Sequence, residues 1–248
     1  MCHSDTSLPP AAPIRTGDVA ACGILELTAA DDNRFRAYRA VPTAPNGRSV
    51  AILPDVRGLH PFYEALTRRF AEAGFHAVAI DYYGRTAGIG DRDGEFDAFA
   101  HMALLEGAHV DADVDAAMGW LRAERADPIF TVGFCLGGGH SWRQAARACG
   151  VAGAVGFYGP PRFFGDTTDR LAAPLLLLLA GADIATPPEE YQALAAGFDA
   201  AGKEYEMHVY DGAPHSYFDV AYREWEQVCT DSWHRVLDFT AREAHQRP

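Results

Sequence analysis

Residues 129–139 read IFTVGFCLGGG, an apolar run of strand length followed by a Gly-x-Cys-x-Gly-Gly turn and the start of a helical segment. A turn of this kind holds its central residue in a strained backbone conformation. Small residues two positions before and after it prevent a collision between strand and helix. Gly133 and Gly137 meet that requirement around Cys135. The pattern predicts a strand–turn–helix elbow with a nucleophilic cysteine at its tip.

The elbow places Cys135 at a helix N-terminus, where the helix dipole favours the thiolate. The backbone N–H of Leu136 then points toward an oxyanion that would form during attack by the sulfur. The alternative is a glycine-rich turn in which Cys135 is an incidental buried residue, since free cysteines commonly pack as small apolar groups.

A nucleophilic cysteine needs a base, and the base needs a carboxylate that orients it. In proteins with such an elbow the acid and the base follow the nucleophile in that order along the chain. Asp183 comes just after the apolar run 175–179, and His215 follows the strand-like run 205–210. We therefore predict Cys135, Asp183 and His215 as a catalytic triad. A surface-loop histidine is the alternative for His215.

Short apolar runs alternate with longer helical stretches along most of the chain, which predicts an α/β fold with a mostly parallel sheet and helices on both faces. Before this rhythm begins, residues 24–28 and 35–41 flank a turn-like Asp31-Asp32-Asn33 and predict an antiparallel hairpin at the sheet edge. The strand-like runs are residues 50–53, 76–80, 129–132, 152–157, 175–179 and 205–210, and the helical ones are residues 61–73, 98–125, 137–148, 188–200 and 223–242.

The domain organisation is simple. Residues 1–20 are rich in Pro and Ala and are expected to form a loosely held arm. Residues 21–248 show no internal repeat and no linker, so we expect them to form one domain. In open sheets of this kind the functional residues gather at the carboxyl ends of the strands.

Composition limits the possible functions of the 248-residue chain. Its net charge of -13 opposes nucleic-acid binding. The longest aliphatic run, residues 175–180, is far too short for a membrane span of about 20 residues. No basic segment followed by an apolar one marks the N-terminus for secretion, so we expect a cytoplasmic protein with reduced cysteines. The segment 137–139 fits neither nucleotide-binding motif, and we expect no cofactor and no metal.

The motifs Gly-x-Cys-x-Gly-Gly, Gly-x-Asp and Gly-x-x-His-Ser, in this order, resemble the dienelactone hydrolase family, whose members are cysteine-dependent enzymes of the α/β-hydrolase fold. The family elbow, Gly-[Tyr/Phe]-Cys-Leu-Gly-Gly, matches residues 133–138. The resemblance runs from about residue 50 to the C-terminus. It implies the same triad, a second oxyanion donor at the Val56 N–H, and a monomer.

The resemblance also assigns residues to substrate binding. The segment Asp81-Tyr82-Tyr83-Gly84-Arg85 is similar to the family's Asp-x-Tyr-x-Arg loop, which makes Arg85 a candidate anchor for a substrate carboxylate, although an exposed-loop Arg is the alternative. Where the family has a Glu that gates the thiol, this chain has Asp55. Where enzymes acting on dienelactone have a second substrate-binding Arg, it has Asp219. Arg57 is a candidate for supplying the missing positive charge.

These residues imply hydrolysis of a small ester or enol lactone, with a bound substrate that could carry a carboxylate. The chemistry is acyl transfer to sulfur, since a thiolate nucleophile suits activated esters, lactones and thioesters. A thioesterase or a general carboxylesterase is one alternative. A catalytically silent small-molecule binder or thiol sensor on the same fold is the other.

Overall fold

A computed structural model describes residues 6–92, 96–124 and 128–245. Within these residues eight strands form a single sheet. The strands are β1 (Val19–Thr28), β2 (Arg34–Pro42), β3 (Ser49–Leu53), β4 (His76–Ile80), β5 (Ile129–Phe134), β6 (Gly153–Phe157), β7 (Leu175–Ala182) and β8 (Tyr205–Pro214).

The sheet order is β1-β2-β4-β3-β5-β6-β7-β8. β1 pairs with β2 and β2 with β4 in antiparallel register, and the remaining neighbours pair in parallel. The predicted N-terminal hairpin and mostly parallel sheet are therefore confirmed. In the hairpin turn Asp32 has a φ of 64°, a left-handed conformation that Asp and Asn tolerate better than most residues.

Helices cover both faces of the sheet. They are α1 (Pro61–Glu72), α2 (Gly84–Ala87), α3 (Ala98–Met102), α4 (Gly107–Ala123), α5 (Leu136–Ala145), α6 (Pro161–Phe164), α7 (Pro188–Ala200) and α8 (Glu226–His245). No helix in the described part of the chain is long and apolar enough to cross a membrane.

Strand β7, second from the edge of the sheet, packs against helices on both faces. Leu176 and Leu178 belong to the buried cluster that also contains residues of α1 and α8, while Leu175, Leu177 and Leu179 belong to the cluster that contains residues of α5 and α7. All five leucines are essentially inaccessible to solvent. Side chains alternate between the two faces of a strand, and both faces are covered here, so an unbroken apolar run is needed.

The helical prediction for residues 98–125 is wrong in one respect. The structure has two helices there, α3 and α4, separated by residues 103–106. Leu104 in this break is 63% exposed, so no buried face continues from one helix to the next. Gly107 at the start of α4 is a weak helix former, which makes this a favourable place for an interruption. The predicted end at Arg125 lies outside the described residues.

Residues 7–10 of the predicted arm pack against the rest of the chain. Ser7 and Pro9 are buried, and the indole N–H of Trp233 on α8 donates to the carbonyl of Pro10 over 3.3 Å. Residues 1–5 lie outside the described part of the chain. The division of the chain at about residue 20 stays a prediction.

The packing at the elbow leads to a stability test. A Cβ at Gly137 would lie 2.1 Å from the carbonyl oxygen of Leu53, a backbone atom that cannot move without shifting β3. We expect G137A to lower the free energy of unfolding by about 3 kcal/mol or more, at the upper end of overpacking costs. Urea unfolding followed by far-UV circular dichroism measures it.

Gly119 in α4 provides the matched control. A Cβ there would meet nothing within 4 Å, and the residue is exposed. G119A should raise the stability by up to about 1 kcal/mol, because alanine is the better helix former. Wild-type stability in G137A would contradict the packing described here.

Candidate active site

The elbow predicted from the sequence is present. Cys135 lies between β5 and α5 with φ 51° and ψ -119°, a strained conformation for a residue with a Cβ. Its N–H donates to the carbonyl of Phe157 over 3.0 Å, and its own carbonyl accepts from the N–H of Gly138 over 2.8 Å. The Cys135 side chain is only partly buried. The strained turn therefore presents a thiol at the first turn of a helix, where the thiolate is favoured.

Glycines around the elbow allow strand and helix to approach closely. A Cβ at Gly133 would lie 1.9 Å from the carbonyl oxygen of Gly137. A Cβ at Gly159, beyond β6, would lie 2.5 Å from the backbone nitrogen of Gly139. The spacing around Cys135 predicts the need for Gly133 and Gly137, but the need for Gly159 arises from a segment distant in sequence.

His215 and Asp183 form a buried pair. Like Cys135, both residues follow the carboxyl end of a strand. The Nδ1 of His215 lies 2.9 Å from Oδ1 and 2.8 Å from Oδ2 of Asp183, and the two side chains are 5% and 2% exposed. Asp183 follows β7 and also accepts from the N–H of Ala185. A proton on Nδ1 bonded to the carboxylate leaves Nε2 as the basic nitrogen of the imidazole. A carboxylate that orients an imidazole in this way is one component of a catalytic triad.

Tyr158 packs against His215, and no sequence motif singles it out. It follows β6 directly and has a φ of 40°, unusual for a residue with a large side chain. Its ring lies 5.0 Å from the imidazole of His215, centroid to centroid. Burial is the main cause that raises the pKa of Tyr158 well above its ordinary value. Nearby groups, which include Asp55 and Cys135, raise this pKa further. The position of Tyr158 immediately after a parallel strand was the available sequence signal.

The loop after β3 lies against the elbow. The N–H of Gly137 donates to the carbonyl of Pro54 over 3.1 Å, and the hydroxyl of Tyr82 donates to the same carbonyl over 2.8 Å. The hydroxyl of Tyr83 donates to the carbonyl of Val56 over 2.5 Å. These bonds fix the backbone around Val56, next to the segment that carries Leu136. The two proposed oxyanion donors therefore lie on segments joined by hydrogen bonds.

The carboxylate of Asp55 is engaged by Arg57. Nε and Nη2 of Arg57 lie 3.0 and 2.9 Å from the Asp55 oxygens, and the Arg57 N–H also donates to Oδ1. Burial opposes the charge of Arg57, but Asp55 more than compensates and raises the pKa of the guanidinium. The positive charge proposed for a substrate is thus largely neutralised by Asp55. Gating of the thiol by Asp55 stays a prediction.

Arg85 is engaged by carboxylates of the protein itself, and its role as a substrate anchor stays a prediction. Its Nη1 lies 2.5 Å from Asp31 and its Nη2 lies 2.9 Å from Asp113. Asn33 also donates to Asp113 over 2.9 Å. Two carboxylates beside one guanidinium oppose the binding of an anionic ligand. Arg85 ties the hairpin turn to α4.

Asp219 also has a structural environment. Asp219 is 2% exposed. Its Oδ1 accepts from the N–H of Ala221 over 3.0 Å and from the N–H of Leu8 over 3.4 Å. The acid that stands at the position of the family's second Arg therefore holds backbone groups.

A cavity of about 510 Å³ opens beside Arg57. Its walls mix charged and apolar side chains: Arg36, Arg57, Leu59, His60, Pro61, Glu64, Asp91, Arg92, Phe96 and Ala98. Arg36 pairs with Asp91 and Arg92 with the buried Asp81.

In the part of the chain that the structure describes, no three His, Cys, Asp or Glu side chains are grouped as metal ligands.

His140 on α5 is buried near the elbow, stacked on Phe163 with ring centroids 5.2 Å apart. Burial lowers its pKa to about 4, while Asp111 works in the opposite direction and Arg143 adds to the lowering. His140 is therefore neutral at physiological pH and packs as an aromatic side chain.

Comparison with known proteins places these features in context. The sequence model of the dienelactone hydrolase family matches residues 35–244. A protein of Salmonella typhi, provisionally named a carboxymethylenebutenolidase, is 30% identical over 97% of this chain and 96% of its own length.

Solved structures of similar proteins have the same fold as this chain. A crystal structure from Klebsiella pneumoniae, provisionally described as a dienelactone hydrolase, superposes with a TM-score of 0.76 at 27% identity, over 89% of this chain and 99% of that one. One from Agrobacterium tumefaciens, provisionally described as an α/β hydrolase, gives a TM-score of 0.63 at 15% identity, over 87% of this chain and 97% of that one. The chain has the α/β-hydrolase fold.

Burial of His140 predicts a specific pH dependence of stability. Its folded-state pKa of about 4 lies below the ordinary 6.5, so the unfolded chain binds a proton that the folded chain refuses as the pH falls from 6.5 toward 4. Stability that is present above pH 6.5 is lost across this range. We expect wild type to lose about 2 kcal/mol relative to H140Q between pH 7.5 and pH 5. Urea unfolding of both proteins at the two pH values measures the difference.

H234Q is the control, because His234 is exposed on α8. Its stability should follow that of wild type at both pH values. A wild-type-to-H140Q difference that stays constant with pH would contradict a buried neutral His140.

Proposed function

The chain belongs to the dienelactone hydrolase family, and from that premise we propose that it hydrolyses a small ester or enol lactone through an acyl-thioester on Cys135. Asp183 and His215 complete the proposed triad. The observation that carries the proposal is the buried His215–Asp183 pair at the sheet edge where the strained elbow presents the Cys135 thiol. The cytoplasmic location and monomeric state expected from the sequence stay predictions.

In the acylation half of the reaction, Nε2 of His215 takes the proton of the Cys135 thiol, and the sulfur attacks the carbonyl carbon. A C–S bond forms and the carbonyl π electrons move to the oxygen. The N–H groups of Leu136 and Val56 stabilise this oxyanion, an effect worth on the order of 100-fold per donor in other hydrolases. The C–O bond then breaks, and the imidazolium gives its proton to the departing oxygen.

In the second half, His215 takes a proton from water as the water oxygen attacks the thioester carbonyl. The C–S bond breaks, the acid is released, and the sulfur regains its proton. Asp183 stays ionised throughout, because its role is to hold the imidazole in one orientation and to stabilise the imidazolium. Its burial with His215 strengthens this interaction relative to one in water.

The ion pairs of Arg57 and Arg85, the two candidate anchors for a substrate carboxylate, indicate which charge the substrate carries. Arg85 is bound by Asp31 and Asp113, and Arg57 is bound by Asp55. Transfer of either guanidinium to a substrate carboxylate would leave a largely buried protein carboxylate without its partner, which is costly. We propose that the acyl group is uncharged near these residues. This favours neutral esters and lactones over the carboxyl-bearing lactone that the name carboxymethylenebutenolidase of the Salmonella typhi relative denotes.

The decisive experiment compares wild type with C135A on p-nitrophenyl acetate and on a dienelactone, in reducing buffer. We expect C135A to lose at least about 1,000-fold in kcat/KM, as removal of a triad nucleophile does in other hydrolases. C149A is the matched control, because Cys149 is also partly buried but lies beyond α5, hydrogen-bonded to the carbonyl of Gln144. It should retain activity within about twofold, because Cys149 lies beyond the opposite end of α5 from Cys135.

Activity that survives in C135A would overturn the proposal. An acyl thioester is tested as a third substrate, and its hydrolysis much faster than that of the ester or the lactone would identify a thioesterase. Failure of wild type on all three substrates, with peroxide-dependent modification of Cys135, would favour the binder or thiol-sensor function instead.

The status of Arg85 can be tested separately with R85Q. Because Arg85 pairs with Asp31 and Asp113, we expect R85Q to change kcat/KM for p-nitrophenyl acetate and for the anionic p-nitrophenyl hemisuccinate by the same factor, within about twofold. A selective loss with the hemisuccinate, measured as the ratio of the two kcat/KM values, would restore Arg85 as an anion anchor.

A further inference from the structure

The two loops that would supply the oxyanion donor and the base come from distant parts of the chain. The loop of residues 54–58 carries Val56, and the loop of residues 215–222 carries His215. The catalytic geometry depends on their separation, because an oxyanion donor must lie within about 3 Å of the oxygen while the base reaches the thiol. A third segment contacts both loops. It comprises residues 7–10 and is called the strap below.

The strap binds the 54–58 loop through a side chain. Nη1 of Arg57 donates to the hydroxyl of Ser7 over 2.9 Å. Ser7 is only 4% exposed. The same guanidinium holds Asp55, so Ser7 is attached to the ion pair that shapes this loop. A hydrogen bond to a charged donor in a buried setting is stronger than a neutral one.

The strap binds the 215–222 loop through its backbone. The carbonyl of Leu8 accepts from the N–H of Val220 over 3.0 Å, and the N–H of Leu8 donates to Asp219 over 3.4 Å. Asp219 also accepts from the N–H of Ala221, and its own N–H donates to the carbonyl of Tyr217 over 2.9 Å. The carboxylate thus organises its own loop and the strap together.

Two prolines and an indole make the strap stiff at its other end. Pro9 and Pro10 have fixed φ angles, which reduces the entropy lost when the segment is ordered. Trp233 of α8 donates to the carbonyl of Pro10, and Pro9 is buried. The strap is therefore anchored to the core as well as to both loops.

We propose that the strap sets the distance between the 54–58 and 215–222 loops, so that Ser7 and Asp219 are positioning residues for the hydrolysis. This inference rests on the proposed function. Neither residue reacts with the substrate. Each holds a loop whose backbone or histidine would do so, and a misplacement of about 1 Å can cost up to 100-fold in rate.

The test uses full-length variants on p-nitrophenyl acetate. S7A removes the acceptor for Arg57, D219L removes the acceptor for Leu8 with a larger side chain of the same branching, and D219N keeps an oxygen acceptor. We expect S7A and D219L to lower kcat by about tenfold with KM changed less than about twofold, because positioning acts on the transition state. D219N should stay within about threefold of wild type, since its amide oxygen still accepts the backbone bonds.

R15A is the matched control, because Arg15 lies in the N-terminal arm (residues 1–20) but outside the strap. Arg15 is 57% exposed and contacts Gly17, Asp18 and Glu72, none of which belongs to either loop. Its kcat should equal that of wild type. Thermal unfolding of each variant separates a lower rate from a lower folded fraction, and S7A, the mildest change, keeps the test valid if D219L does not fold.

A second readout needs no substrate. Alkylation of Cys135 by iodoacetamide, followed by mass spectrometry of its peptide, reports how well His215 activates the thiol. It should slow by about fivefold or more in D219L and recover in D219N. Wild-type kcat and alkylation in both S7A and D219L would overturn the positioning role while leaving Cys135-dependent hydrolysis intact. Undiminished hydrolysis by C135A would instead overturn the proposed function itself.

Discussion

The close approach of backbone to backbone at the elbow is the constraint on which the rest of the structure depends. Cys135 can adopt a φ of 51° only because the strand before it and the helix after it touch through glycines. A Cβ at Gly133 or Gly137 would lie within 2.1 Å of a carbonyl oxygen. The elbow is also hydrogen-bonded to the two strands beside β5. The N–H of Gly137 donates to the carbonyl of Pro54, just after β3, and the N–H of Cys135 donates to the carbonyl of Phe157 at the end of β6. One strained turn thereby brings three strand ends to one place.

Charge is used locally in this acidic protein. The net charge is -13, yet the arginines near the sheet edge are each matched by one or more carboxylates. Arg57 holds Asp55, Arg85 holds Asp31 and Asp113, and Arg92 holds Asp81. Buried pairs of this kind contribute little net stability, because desolvation offsets the attraction, but removal of one partner is costly. They act mainly to fix loops.

Much of the fold was predictable because it depends on local patterns. The alternation of apolar runs and helical stretches predicted six parallel strands, and the turn at residues 31–33 predicted the hairpin. The failures have physical causes. The helices α2 and α6 are single turns, too short to show a period, and the break between α3 and α4 has no Pro to mark it. The packing of residues 7–10 left no sequence signal because their partners, Arg57, Asp219 and Trp233, are distant in sequence.

The sequence by itself determined the elbow, the order of Cys135, Asp183 and His215, and the class of sheet, because glycine spacing and apolar periodicity are properties of neighbouring residues. Only the tertiary structure decided which charged groups face one another. Arg85 matched a family motif for binding a carboxylate, but its position between the hairpin turn and α4 gives it two protein carboxylates. Asp219 looked like a lost substrate contact, and the fold uses it to hold Leu8. Ion pairs and loop-to-loop contacts depend on distances between residues far apart in the chain, and spacing along the sequence carries no record of those distances.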